Sequence, residues 1–190
     1  TIEYEDFIIP ADAGSTVACH ADAVMPDAPV VYDNCGEMLT AVAGEMGGTY
    51  DGCEGTVTYP FIYTDCEGNT HTWTYTYTIE YEDFTMPADA GSTLECYACT
   101  VIPEPPEVYD NCGILLTPVA EEVETTYHGC EGTVTYPFTY TDCEGNSHTW
   151  TYTYTIEYED FTLPADAGST VACHADAVMP DAPVVYDNCG

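Results

Sequence analysis

From Thr72 onward the chain alternates strictly. Trp73, Tyr75, Tyr77, Ile79 and Tyr81 fall on one parity, and Thr72, Thr74, Thr76, Thr78, Glu80 and Glu82 on the other. A period of two with one apolar face is the signature of a half-buried β-strand. The phrase "HTWTYTYTIEYEDF" recurs once more at 148–161. At Asp83–Phe84 the phase slips, with a charge on the apolar parity and an aromatic on the polar one. A one-residue slip exchanges the two faces. The pattern therefore predicts that the last strand of one module runs directly into the first strand of the next, with boundaries near residues 6, 83 and 160. Shorter runs at 15–21, 29–33, 37–43 and 55–65 carry β-branched and aromatic residues, which favour strands. Between them lie "PADAG", "MPDAP", "DNCG" and "CEGN", all turn chemistry. No helical period competes. Six or seven short strands per unit predict an antiparallel β-sandwich. Pro60, inside the 55–65 run, predicts an edge strand or a bulge.

The units are repeats. "TIEYEDF" stands at Thr1, Thr78 and Thr155, so the period is 77 residues. The first two copies align without a gap, and 155–190 matches 1–36 except that Thr162 and Leu163 replace Ile8 and Ile9. The expected organisation is residues 1–5 as the last strand of one repeat, 6–82 and 83–159 as two β-sandwich repeats, and 160–190 as part of a third. The expected setting is a longer tandem array, with strand exchange between chains as the alternative.

Composition then removes whole classes of function. The chain has no Lys or Arg against 34 Asp plus Glu, a formal charge of -34. That excludes the basic footprint of a nucleic-acid binder and attraction to anionic lipid. No apolar stretch is long enough to span a membrane as a helix. With 17 Tyr and 45% hydrophobic residues, the chain is too aromatic for an acidic disordered tail. Eleven Cys point to an oxidising, extracellular or cell-surface location. Without Lys, no Lys–Asn isopeptide bond can stiffen the fold.

"VYDNCG" (31–36), "GTVTYPFIYTDCEGN" (55–69) and the Thr/Tyr strand that follows together resemble the hyalin-repeat class of immunoglobulin-like modules. These are similar to the modules strung along large bacterial surface proteins. Cys19-His20 departs from the Cys-Pro often found there. The resemblance implies an all-β fold and extracellular structural or adhesive work rather than catalysis.

Four cysteines per repeat allow three pairings, and spacing alone does not choose. An immunoglobulin-like topology, if assumed, brings together Cys19 with Cys66 and Cys35 with Cys53, and likewise Cys96 with Cys143 and Cys112 with Cys130. Cys99 has no counterpart in the other repeats and is expected to be unpaired or bonded to an outside partner. Cys173 and Cys189 are expected to bond outside the 190 residues. A zinc set of Cys19, His20, Cys66 and His71 is disfavoured because Tyr97 replaces His20 in the second copy. Cys96-x-x-Cys99 lacks the βαβ setting of a redox pair.

Thirty-four carboxylates without a basic partner repel one another unless spaced, screened or bridged by divalent cations. Calcium, which takes oxygen ligands from loops, is the natural candidate, though no cofactor is required. Two clusters suit it: Asp33, Asp65, Glu67 and Asn69, and the boundary group Glu80, Glu82 and Asp83. The simpler alternative is a solvated acidic surface. No activated nucleophile or base stands out, so no enzyme is expected. The sequence favours a structural repeat of a filament or stalk, whose partners are further copies of itself. The alternative is an adhesin module that grips carbohydrate, with or without calcium.

Overall fold

A computed structural model describes residues 5–187. Its regular elements are strands, punctuated by single 3-10 turns at His20–Asp22, Tyr97–Cys99 and His174–Asp176. In the first repeat these strands are β1 (Ala13–Val17), β2 (Val31–Tyr32), β3 (Met38–Leu39), β4 (Val42–Ala43), β5 (Gly47–Gly48), β6 (Gly55–Thr64) and β7 (Thr70–Ile79). The β6–β7 hairpin is the spine, paired without a break from Gly55↔Ile79 to Thr64↔Thr70. β4 and β5 pair with the far edge of β6, and β2 pairs with β3 as a separate ribbon.

One pairing departs from the antiparallel expectation. β1 runs parallel to β7, from Ala13↔Tyr75 to Val17↔Ile79. Gly14 permits this approach, because a Cβ there would lie 2.4 Å from the Thr76 carbonyl oxygen.

The alternation predicted for β7 sets its burial. Trp73, Tyr77 and Ile79 are buried, and Phe61 and Tyr63 face the same interior from β6. Phe7 and Val31 complete one cluster with Phe61, Tyr63 and Trp73, while Ala23 joins Val57, Tyr77 and Ile79 in another. Three polar ring atoms packed against these clusters find backbone partners. The Tyr63 hydroxyl donates to the Pro29 carbonyl at 2.5 Å, that of Tyr59 to Ala23 at 2.6 Å, and Trp73 Nε1 to Ala11 at 2.9 Å.

One strand expectation is corrected. β7 stops at Ile79, and the next strand begins only at Ala90, so no strand runs through the module boundary. Its partner β6 begins at Gly55, and beyond that residue β7 has no antiparallel neighbour to pair with. Pro60 is not on an edge strand but lies at a bulge, as the sequence predicts: Ala43 pairs with Phe61 and Gly47 with Thr58, so three residues of the far edge stand opposite two of β6. It faces the break between β4 and β5, where its carbonyl accepts from the Gly44 N–H at 2.8 Å. The missing N–H therefore costs no ladder bond.

The second repeat uses the same order: β8 (Ala90–Leu94), β9 (Val108–Tyr109), β10 (Leu115–Leu116), β11 (Val119–Ala120), β12 (Glu124–Thr125), β13 (Gly132–Thr141) and β14 (Ser147–Ile156). Tyr140 donates to the Pro106 carbonyl at 2.6 Å, and Trp150 Nε1 to Ala88 at 2.9 Å. On the outward parity, hydroxyls of Thr135 and Thr153 meet at 3.0 Å and those of Thr139 and Thr149 at 3.1 Å. Among the described residues, no helix is long and apolar enough to cross a membrane.

The compact units do not follow the sequence repeats. One unit runs to Thr85 and also takes in Glu107–Thr117 and Thr141–Ser147, two segments of the second repeat. The other holds Met86–Pro106, Pro118–Tyr140 and the chain from His148.

Candidate functional site

The two borrowed segments are held by covalent bonds. Cys19 is bonded to Cys112 and Cys53 to Cys143, with Cα–Cα distances of 5.6 and 5.7 Å, both ordinary for a disulfide. Cys112 is the counterpart of Cys35, and Cys143 that of Cys66, each 77 residues on. Both bonds therefore run from one repeat to the next. This overturns the assignment of Cys19–Cys66, Cys35–Cys53, Cys96–Cys143 and Cys112–Cys130 within repeats. Cys35, Cys66 and Cys130 carry free, exposed thiols, as do Cys99 and Cys173. Cys96 is disulfide-bonded, as is its counterpart Cys19. Cys189 lies outside the described residues.

Each bonded cysteine is positioned by a short, rigid turn. Cys19 is the extended residue (φ -127°, ψ 143°) that enters the 3-10 turn, and its carbonyl accepts from Asp22 N–H at 3.0 Å. His20 stacks on Tyr50, centroids 4.4 Å apart, and in the second repeat Tyr97 stacks on Tyr127 at 4.7 Å. That packing explains the His-to-Tyr exchange between copies without any metal. Cys53 sits in a turn whose Asp51 Oδ1 accepts from the N–H groups of Cys53 and Glu54 at 3.0 and 3.1 Å. Those donors hold the Asp51 carboxyl below its ordinary range.

The receiving turns use the same device. Asp110 Oδ1 accepts from Cys112 and Ile114 N–H at 2.9 and 2.7 Å. Asp142 Oδ1 accepts from Glu144 and Asn146 N–H at 3.0 and 2.9 Å, and its Oδ2 from Asn146 Nδ2 at 2.9 Å. Gly113 (φ 79°) and Gly145 (φ 89°) take the left-handed conformation that each turn requires.

The same logic places the residues expected to hold calcium. Asp33 Oδ1 accepts from Cys35 and Glu37 N–H at 2.9 and 2.8 Å. Asp65 accepts from Glu67 N–H, Asn69 N–H and Asn69 Nδ2 at 3.0, 2.8 and 2.8 Å. Burial alone would raise the Asp65 carboxyl, but the Asn69 side chain and the turn's N–H groups outweigh it and hold it low. Asp33, Asp65 and Asn69 thus act as turn pins. Glu67, Glu80, Glu82 and Asp83 are exposed, and Glu80 N–H bonds to the Val17 carbonyl at 3.0 Å. Among the described residues, no three His, Cys, Asp or Glu side chains are grouped to hold an ion. His71, from the zinc set, pairs with Asp6 at 2.9 Å and packs its ring against Phe7 at 4.7 Å.

Between the two disulfides lies a cleft of about 520 Å³, lined by residues that include His20, Tyr50, Tyr81, Asp110 and Asp142. Sequence reasoning did not single out Tyr81. Its hydroxyl is buried beside the Asp110 carboxylate. Burial, and then the carboxylates of Asp110, Asp142 and Glu144, hold its phenol far above the ordinary range. Glu54 and Glu144, each next to a bonded cysteine, face one another. Their shared hydrogen bond and mutual repulsion, then burial, Asp51 and Glu80, raise the Glu54 carboxyl.

Fold and bonds together define a class: tandem immunoglobulin-like β-modules carrying a repeated set of four cysteines. The profile of the HYR-like domain with 4 cysteines matches residues 7–79, 84–156 and 161–190, and the chain belongs to this family. Domains of this kind are extracellular structural or adhesion modules. No curated protein matches the chain.

Proposed function

We propose that the chain is a structural repeat of an extracellular filament or surface-protein stalk. The observation that carries this reading is that Cys19–Cys112 and Cys53–Cys143 join successive repeats. Bonds closed within a module stabilise that module, whereas bonds closed across a boundary transmit tension along the array. Between Ile79 and Ala90 the chain has no strand, so the disulfides run beside a stretch of backbone that sheet pairing does not protect. The acidic surface keeps such an array in solution through self-repulsion. This reading requires no catalysis, cofactor or bound metal. Antibody labelling of the native cell surface under the electron microscope tests it. Label spaced regularly along a fibre is the expected result. Label confined to heads at fibre tips would instead favour adhesion.

A second reading has one observation in its favour. The cleft beside Tyr50, Tyr81, Asp110 and Asp142 combines aromatic faces with carboxylate acceptors, a pairing suited to a neutral sugar. Binding on a glycan array that is lost on Tyr81→Ala would establish an adhesin, and calcium dependence would be read in the same assay.

A further inference from the structure

We propose that the outward, threonine-covered face of each module's main sheet is a lateral docking surface for a second copy of this chain. Of the ten positions that β6 and β7 turn outward, eight are threonine, in register as Thr56↔Thr78, Thr58↔Thr76 and Thr64↔Thr70. One row extends beyond the hairpin. Thr16 of parallel β1 pairs with Thr78, and the Thr49 hydroxyl meets that of Thr56 at 3.1 Å. The second repeat matches it, with Thr93 paired to Thr155 and the Thr126 hydroxyl 2.8 Å from that of Thr133.

This face is the neutral part of a chain whose formal charge is -34. None of the carboxylates lies on the outward parity of the β6–β7 or the β13–β14 hairpin. The exchanges between copies, Ile62 to Thr139 and Thr70 to Ser147, keep it uncharged. Charge resumes at the rim. Glu80 follows β7, and Glu124 stands on an edge strand beside Thr135. Asp12 turns its carboxylate onto the Thr74 N–H at 2.8 Å. Position by position, β14 repeats the burial of β7, with Thr72 and Thr149 exposed. The face is therefore open in both repeats.

The chemistry selects the occupant. Carboxylates only accept hydrogen bonds, and two acidic surfaces repel, whereas a threonine hydroxyl both donates and accepts. A threonine face is thus complementary to itself. Two copies that meet on it about a two-fold axis set no charge against like charge. The rings of Trp73, Tyr75 and Tyr77 fall on the opposite parity, so this face offers no aromatic platform to a small ligand. Strands about 4.8 Å apart, rising about 3.4 Å per residue, give β1, β7 and β6 a face of roughly 450 Å². A stable interface takes about 800 Å² per partner. One module therefore pairs weakly, and each further face along the chain adds strength.

Sedimentation of the chain tests this, with free thiols capped by iodoacetamide so that no new disulfide forms. In about 1 M NaCl the Debye length falls to about 3 Å, and association should strengthen as carboxylates elsewhere are screened. Thr72→Asp/Thr149→Asp should weaken it about tenfold or more by setting like charges opposite one another. Thr70→Asp/Ser147→Asp, on the same face, should act alike. Thr85→Asp/Thr162→Asp adds the same charge at exposed positions outside the sheets and should leave association unchanged. Sheet circular dichroism and the Cys19–Cys112 and Cys53–Cys143 bonds report folding of each variant. Monomer at every salt concentration, equal weakening by on-face and off-face variants, or no weakening by either on-face pair would each overturn the proposal. So would sugar on Thr72 or Thr76 of the native protein, found by mass spectrometry, because glycan would then cover the face. This surface goes beyond the stalk reading and is separable from it: pairing through the face without any native fibre would support the one and sink the other.

Discussion

Cys53 and Cys143 are bonded with Cα atoms 5.7 Å apart although 90 residues separate them in sequence. The hairpin tip that carries Cys143 thus belongs to the compact unit built mainly from the preceding repeat. The boundary that the repeats draw in the sequence and the boundary of compact structure fall in different places, and the disulfides lie where the two disagree.

The buried clusters of the first repeat contain no cystine. Reduction should therefore leave the β-sheet circular dichroism and the emission of Trp73 unchanged at room temperature, while lowering the melting temperature. In the chain-entropy model, closing loops of this size contributes about 4–5 kcal/mol per bond. Differential scanning calorimetry with and without a phosphine reductant checks the shift. Loss of the sheet signal on reduction at room temperature would show that the modules need their staples to fold.

Asp142 satisfies two N–H groups and one amide from a position that is 8% exposed. Asp142→Ala should cost about 1–3 kcal/mol through donors left unpaired, and should lower the yield of Cys53–Cys143 in quantitative peptide mapping. Asp142→Asn keeps an acceptor oxygen and should recover most of that yield.

The joint's acidic groups oppose one another as pH changes. Asp51 and Asp65 lie below their ordinary 3.8, so their contribution is complete above that pH and is lost as pH falls through the folded values. Glu54 lies above its ordinary 4.5, so its contribution is complete below that pH and is lost as pH rises through the folded value. Melting temperature should therefore rise as pH is lowered through the raised Glu54 value toward its ordinary 4.5, then fall as pH drops below 3.8. Glu54→Gln should raise the melting temperature at pH 7 and flatten the first limb. An unchanged first limb would mean that the Glu54–Glu144 opposition is screened away.

Tyr63 is fully buried and donates to the Pro29 carbonyl. Tyr63→Phe keeps the packing but strands that acceptor, at a cost of about 1–2 kcal/mol in urea titration. Tyr140→Phe, which frees Pro106, should match it. His20→Tyr, by contrast, reproduces the Tyr97–Tyr127 stack and should fall within about 0.5 kcal/mol of the parent.

Much of this architecture was legible in the sequence. The parity of Trp73, Tyr77 and Ile79 marked the buried face of β7, and the Gly-bearing "DNCG" and "DCEGN" phrases marked turns. The disulfide partners were not legible, for a physical reason. Cys35 and Cys112 sit in the same hexapeptide, "VYDNCG", so no local pattern distinguishes a bond within a repeat from one to the next. The end of β7 was hidden because Tyr81 keeps the alternation going after β6 has run out of residues to pair with. Asp33 and Asp65 looked like ligands because the donors that occupy them are backbone N–H groups, which side-chain spelling does not display.

The Cys19–Cys112 bond encloses every peptide bond between those two residues, and Cys53–Cys143 encloses an overlapping stretch. A protease that cuts once anywhere from Cys19 to Cys143 therefore leaves two pieces still tied together, and from Cys53 to Cys112 the tie is double. In this molecule, continuity of the thread does not depend on continuity of the backbone.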